Sequence, residues 1–160
     1  MGVDADVKSQ YGKDTKLHKE CRSIFSNEKM VKLLIERGSD VNILHENYGF
    51  PLSSAAENDN VSIMGLLIEG GAKIDNVDFN GRSALYNAVN SNSKEAVKFL
   101  LDKGADEWLS DYNGDTVFDI ASDEMKDILT EAIKKRDEGA NKRKGDDAKS
   151  VINKSGMDFC

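Results

Sequence analysis

Apolar side chains recur at i, i+3 and i+4 in three short phrases along this chain, and each phrase closes on a glycine. The phrases are Val31-Lys32-Leu33-Leu34-Ile35-Glu36-Arg37-Gly38, Met64-Gly65-Leu66-Leu67-Ile68-Glu69-Gly70-Gly71 and Val97-Lys98-Phe99-Leu100-Leu101-Asp102-Lys103-Gly104. That spacing puts Val31, Leu34 and Ile35, and their equivalents, on one face of an α-helix. Glycine adopts the left-handed backbone without steric cost, so one at this fixed offset predicts a helix C-cap. Gly38, Gly71 and Gly104 are spaced at 33 residues, which predicts a tandem array instead of one irregular globule.

A second signature repeats with the same period. Phe50-Pro51-Leu52-Ser53-Ser54-Ala55, Ser83-Ala84-Leu85-Tyr86-Asn87-Ala88 and Thr116-Val117-Phe118-Asp119-Ile120-Ala121 align residue for residue, and Thr15-Lys16-Leu17-His18-Lys19-Glu20 is a degenerate copy. In this pattern Thr or Ser caps a helix, Leu fills the space between helices and Ala permits close approach of neighbours. The phrase resembles the T-P-L-H-x-A motif of ankyrin repeats, in which a turn leads into two antiparallel helices. The resemblance covers roughly residues 14–133. It implies an all-α solenoid of helix-turn-helix units with short β-hairpin loops, and for His18 a structural hydrogen bond near Thr15. Only Pro51 occupies the motif's proline position, Glu20 stands where Ala belongs, and Glu107 replaces an apolar residue after Gly104-Ala105-Asp106.

The domain organisation follows from where the period starts and stops. Residues 1–13 form an N-terminal extension, and residues 14–136 hold about four repeats, at 14–45, 47–79, 80–112 and 113–136. The last repeat has lost five residues between its helices: Ala88 precedes Val97 by nine positions, whereas Ala121 precedes Met125 by four. Terminal units that differ from internal ones are expected of a solenoid, whose end faces meet water. Beyond Asp137 the apolar periodicity ends, so residues 137–160 are expected to be a disordered tail.

Charge changes the picture more than bulk composition does. Residues 134–160 carry 8 Lys or Arg against 5 Asp or Glu, a net of +3, and the rest carries 14 against 24, a net of −10. An acidic repeat body repels nucleic-acid backbones and can steer a basic partner. The clusters Lys134-Lys135-Arg136 and Lys142-Arg143-Lys144 are the alternative, a contact with nucleic acid or another anionic surface through the tail. No run is long and apolar enough to predict a membrane span or a secretory signal. Two cysteines, Cys21 in a helix and Cys160 at the end, make no disulfide framework, and a reducing cytoplasmic or nuclear compartment is expected.

Candidate catalytic chemistry is thin. His18 and His45 are the only histidines, and Cys21 follows His18 by three residues, a helical spacing that can bring thiol and imidazole together. No third group orients them, so an enzyme built on this pair ranks last among the readings. Asp115, Asp119 and Asp123 straddle a helix start, where acids favour the helix dipole. No zinc-type Cys/His spacing and no glycine-rich phosphate loop occurs, and neither a metal nor a cofactor is expected.

The expected function is non-catalytic protein binding, as an adaptor or an inhibitor, by a monomer. The resemblance implies that partners dock on the concave side formed by hairpin tips and inner helices. Six of the eleven aromatics, Tyr48, Phe50, Phe79, Tyr86, Trp108 and Tyr112, fall in hairpins or at inner-helix starts, and aromatic side chains dominate interface hot spots. With them the candidate site comprises Arg82, Asn87 and the acids Asp75, Asp78, Glu107, Asp111 and Asp115, which suit a partner with a basic surface.

Overall fold

The computed structural model describes residues 15–155, with side chains through residue 144. Eight helices form four antiparallel pairs: α1 (Lys16–Arg22) with α2 (Glu28–Glu36), α3 (Pro51–Glu57) with α4 (Val61–Glu69), α5 (Ala84–Asn90) with α6 (Lys94–Asp102), and α7 (Val117–Ile120) with α8 (Asp123–Ser155). The inner helices α1, α3, α5 and α7 pack in a row, and α2, α4, α6 and α8 form the outer row behind them. Each unit therefore touches only its neighbours, as a solenoid requires.

The local signals act as the sequence predicts. Thr15 and Ser83 accept the backbone N–H of His18 and Tyr86 and so cap α1 and α5. Pro51, without an N–H to lose, occupies the first turn of α3. At the outer-helix ends Gly38, Gly71 and Gly104 have φ of +90°, +97° and +89°. Around Gly38, the N–H of Ser39 bonds the Leu34 carbonyl and that of Gly38 bonds the Ile35 carbonyl. This is the Schellman pattern, which pairs carbonyls the helix end would otherwise leave bare.

Leu17, Leu52 and Leu85 fill the space between inner and outer rows, and Ala55, Ala88, Val31, Met64, Val97, Met125 and Leu129 complete the core. Phe118, the fourth equivalent of the leucine series, is only half buried because α7 is the last inner helix and has no successor to cover it.

The connecting hairpins are short: His45 and Gly49 form an antiparallel bridge, and at the next two tips the N–H of Asp78 bonds the Arg82 carbonyl at 3.0 Å and that of Asp111 the Asp115 carbonyl at 2.9 Å. One expectation differs from the structure. The segment from 137 onward, expected to be disordered, continues α8 as helix to Ser155, while residues 156–160 lie outside the described part. Lys, Arg, Glu and Ala dominate the stretch 134–144, and such residues extend a helix already nucleated against the core at little cost. No helix of the described residues is long and apolar enough to cross a membrane.

Candidate functional site

The tips of successive hairpins are built by one repeated device. Asp78 Oδ1 accepts the N–H of Asn80 at 2.8 Å and of Arg82 at 3.0 Å, and Asp111 Oδ1 accepts those of Asn113 at 2.9 Å and Asp115 at 3.0 Å. At the first tip the equivalent position, 33 residues before Asp78, is His45, whose Nδ1 accepts the N–H of Asn47 at 3.0 Å. An imidazole thus replaces the carboxylate as the turn's acceptor. His45 is buried, its ring 5.6 Å from that of His18 and 4.5 Å from that of Tyr48.

His18 itself joins Thr15 Oγ1 at 2.8 Å and the Gly49 carbonyl at 3.1 Å, the structural bond the motif implies plus one that ties the first tip to α1. Cys21 is fully buried, and burial followed by the nearby Glu20 pushes its thiol up to about 12. A thiol so held is protonated near neutrality and is a poor nucleophile.

Second and third tips meet directly. Tyr112 donates its N–H to the Asn80 carbonyl at 3.0 Å, and its ring lies so close to Gly81 that a Cβ there would stand 2.7 Å from Tyr112 Cδ1. Gly81 also has φ of +78°, so both the turn and the ring need glycine. The result is a pair of projecting rings: Phe79 is 60% exposed and Tyr112 74%. Beside them, Asp75 Oδ1 accepts the N–H of Asp106 at 2.9 Å, linking the segments that lead into the two tips while remaining at the surface. Asp115 is exposed, and Asp78 and Arg82 are half buried.

Other candidates are drawn inward. Tyr86 and Asn87 are buried, and the Tyr86 hydroxyl donates to Asp111 Oδ2 at 3.1 Å with the Arg82 guanidinium 5.3 Å from the ring centre. Burial, followed by the Asp111 hydrogen bond and charge, raises the Tyr86 phenol above its ordinary value. Burial also pushes the Asp111 carboxyl upward, but the N–H groups of Asp115 and Asn113 and the Tyr86 hydroxyl outweigh it and leave the group below its usual range. Phe50 is half buried at the start of α3. Tyr48 stays at the surface, 39% exposed, with its ring between that of His45 and the Arg22 guanidinium, which stands 3.6 Å from its centre.

Glu107 and Trp108 belong to a different face. Glu107 is buried and forms a two-pronged ion pair with Arg136 of α8, Oε2 to Nη1 at 2.9 Å and Oε1 to Nη2 at 2.8 Å. Trp108 is 69% exposed and tilts against Phe118, ring centres 5.4 Å apart. Sequence reasoning missed Arg136 as a partner, although an acid in an apolar slot was a signal that a cation must reach it.

The Arg136 guanidinium beside Glu107 holds its carboxyl below the usual carboxylate range. The folded pKa therefore lies below the unfolded value of about 4.3, so the pair's stability is present above that pH and is lost as pH falls through the depressed folded value. Urea unfolding of the wild type and Glu107→Gln as a function of pH is expected to give a constant stability gap near neutrality that narrows below about pH 4. A gap unchanged into strong acid would mean that Glu107 carries no charge-dependent stability.

The family model of ankyrin repeats (3 copies) matches residues 17–111 and, overlapping, residues 52–144. No curated protein matches the chain.

Proposed function

The chain belongs to the ankyrin-repeat family, whose repeats are in general protein–protein interaction modules, and from that premise we propose that it is a non-catalytic binding protein which docks its partner on the second and third hairpin tips. The observation that carries this reading is the adjacent pair of exposed rings, Phe79 and Tyr112, held by backbone contacts between the tips. Rigid, projecting aromatics bury large area at small entropic cost, which is why they dominate interface hot spots.

Around the rings, Asp75, Asp78, Asp106 and Asp115 supply carboxylates that suit a basic partner surface. Glu107 and Asp111 have no such part here, since both are buried with both oxygens committed, Glu107 to Arg136 and Asp111 to the third turn through Oδ1 and to the Tyr86 hydroxyl through Oδ2, whereas Asp78 keeps Oδ2 beside the surface. Tyr86 acts beneath the surface by tying α5 to Asp111 of the third turn, and Asn87 is buried on the same helix. An adaptor and an inhibitor use the same surface; which of the two this is depends on what the partner loses when covered.

The test starts from a partner captured with the intact chain. Phe79→Ala with Tyr112→Ala is expected to weaken that complex by about 2 kcal/mol or more, while Lys94→Ala with Lys98→Ala on the outer helix α6 changes it little. Unfolding midpoints measured alongside separate lost contact from lost fold. A larger effect from the lysine pair would place the partner on the outer row and overturn the assignment.

A further inference from the structure

The two ends of the stack are unlike in charge and alike in leaving apolar side chains uncovered. At the first end, Ile24 and Phe25 in the α1–α2 turn are 78% and 87% exposed. On α2, Ile35 faces α4, where its Cγ2 would lie 2.8 Å from a Cβ at Gly70. Leu33, two positions away on the helix, therefore points from the stack outward, with Lys29 and Arg37 one turn to either side of it. It is 42% exposed.

At the other end, α8 turns Glu124 and Ile128 toward α6, with Glu124 paired to Lys94. Its opposite side, with Thr130, Ile133, Lys134, Asp137 and Glu138, faces out and, with Trp108 and Phe118, lines a mainly apolar depression. This is the place that a further repeat would occupy.

The charges of these ends complement one another. Residues 16–37, the first helix pair, hold six Lys or Arg and three Glu, a net of +3. Residues 115–138, covering α7 and the part of α8 that lines the depression, hold eight Asp or Glu and four Lys or Arg, a net of −4, with Glu124 and Glu131 of these paired to Lys94 and Lys135. Like ends repel and unlike ends attract.

We propose that the α7–α8 flank with Trp108 is a docking surface for the α1–α2 flank of a second copy of this chain, so that copies stack head to tail and continue the solenoid. Such a contact uses two different patches, so it leaves one free end on each side and grows into open chains instead of stopping at a dimer. It departs from the monomer expected from the sequence. It also stands apart from the partner surface, because Phe79 and Tyr112 lie on the hairpin tips and stay uncovered when units stack.

The experiment uses the full chain in sedimentation equilibrium at low and high salt, with emission from Trp108, its one tryptophan, as a local readout. The first end is blocked by Phe25→Asp with Leu33→Asp and the second by Trp108→Asp, all at exposed positions, with unfolding midpoints confirming the fold. Expected is a weight-average mass that rises past the dimer over a roughly hundredfold increase in concentration, falls when salt is added, and is accompanied by a blue shift of Trp108 emission. Each blocked variant alone stays monomeric, and an equimolar mixture of the two forms dimers and nothing larger, since each retains one working end.

A wild type that remains monomeric throughout overturns the proposal, as does a mixture that stays monomeric or a blocked variant that still self-associates. A wild type that associates only after residues 1–14 are removed also overturns it, because that segment of the same chain would then be the occupant of the first flank.

Discussion

Leu85→Ala is expected to cost the fold about 2 to 5 kcal/mol, the range for truncating a fully buried leucine whose surroundings cannot collapse into the gap. Leu85 is 1% exposed on α5, the inner helix of the third pair, which packs against α3 on one side, α7 on the other and α6 behind. A cavity there removes contacts from three units at once. In a stack whose stability is a sum of unit and interface terms, a central interface lost on both sides weakens the whole cooperative transition. Leu33→Ala, on an exposed position of α2, serves as the control and is expected to change stability by less than about half a kcal/mol. Urea midpoints of the two variants decide the matter: a Leu85→Ala loss as small as that of the control would mean that Leu85 does not sit between the helix rows.

The fold was legible because its determinants are local and repeated. Gly38, Gly71 and Gly104 announce helix ends through a conformation that other residues avoid, and all three adopt it. Leu17, Leu52 and Leu85 occupy the same buried place because the same phrase surrounds them. The site was legible only in part, since exposure is decided by neighbours that lie far along the chain. Phe79 and Tyr112 project as their turn positions suggest, whereas Asp111 in the same kind of turn is buried by Tyr86 from α5. His45 stands where later repeats carry Asp78 and Asp111, and a rule that asks for a carboxylate overlooks an imidazole that accepts the same N–H. The continuation of α8 was hidden for another reason: a helix with one short anchored stretch needs no apolar periodicity beyond it, only residues that do not oppose the helix.

Arg136→Ala is expected to destabilise the protein by about 2 kcal/mol or more, since it leaves the Glu107 carboxylate in a buried slot with neither of its charge-assisted bonds. The size is held below the range for fully buried pairs because the Arg136 side chain keeps 26% of its surface exposed. Glu107→Leu removes the acid instead and restores the apolar residue the third repeat lacks; Arg136 then still reaches water and Asp137, which it meets at 3.1 Å. That variant is expected to lose less than Arg136→Ala does. The double variant Glu107→Leu with Arg136→Ala completes a cycle whose coupling term isolates the pair, and the loss from Arg136→Ala should shrink strongly in the Glu107→Leu background. Equal losses in both backgrounds would show that Arg136 contributes through its aliphatic stem against the third hairpin and not through charge. Either way the contact joins α8 to a hairpin 29 positions earlier. Helical circular dichroism near the transition should therefore fall first in Arg136→Ala, as the outer part of α8 loses the one ion pair that ties it to the stack among the described residues beyond Glu124.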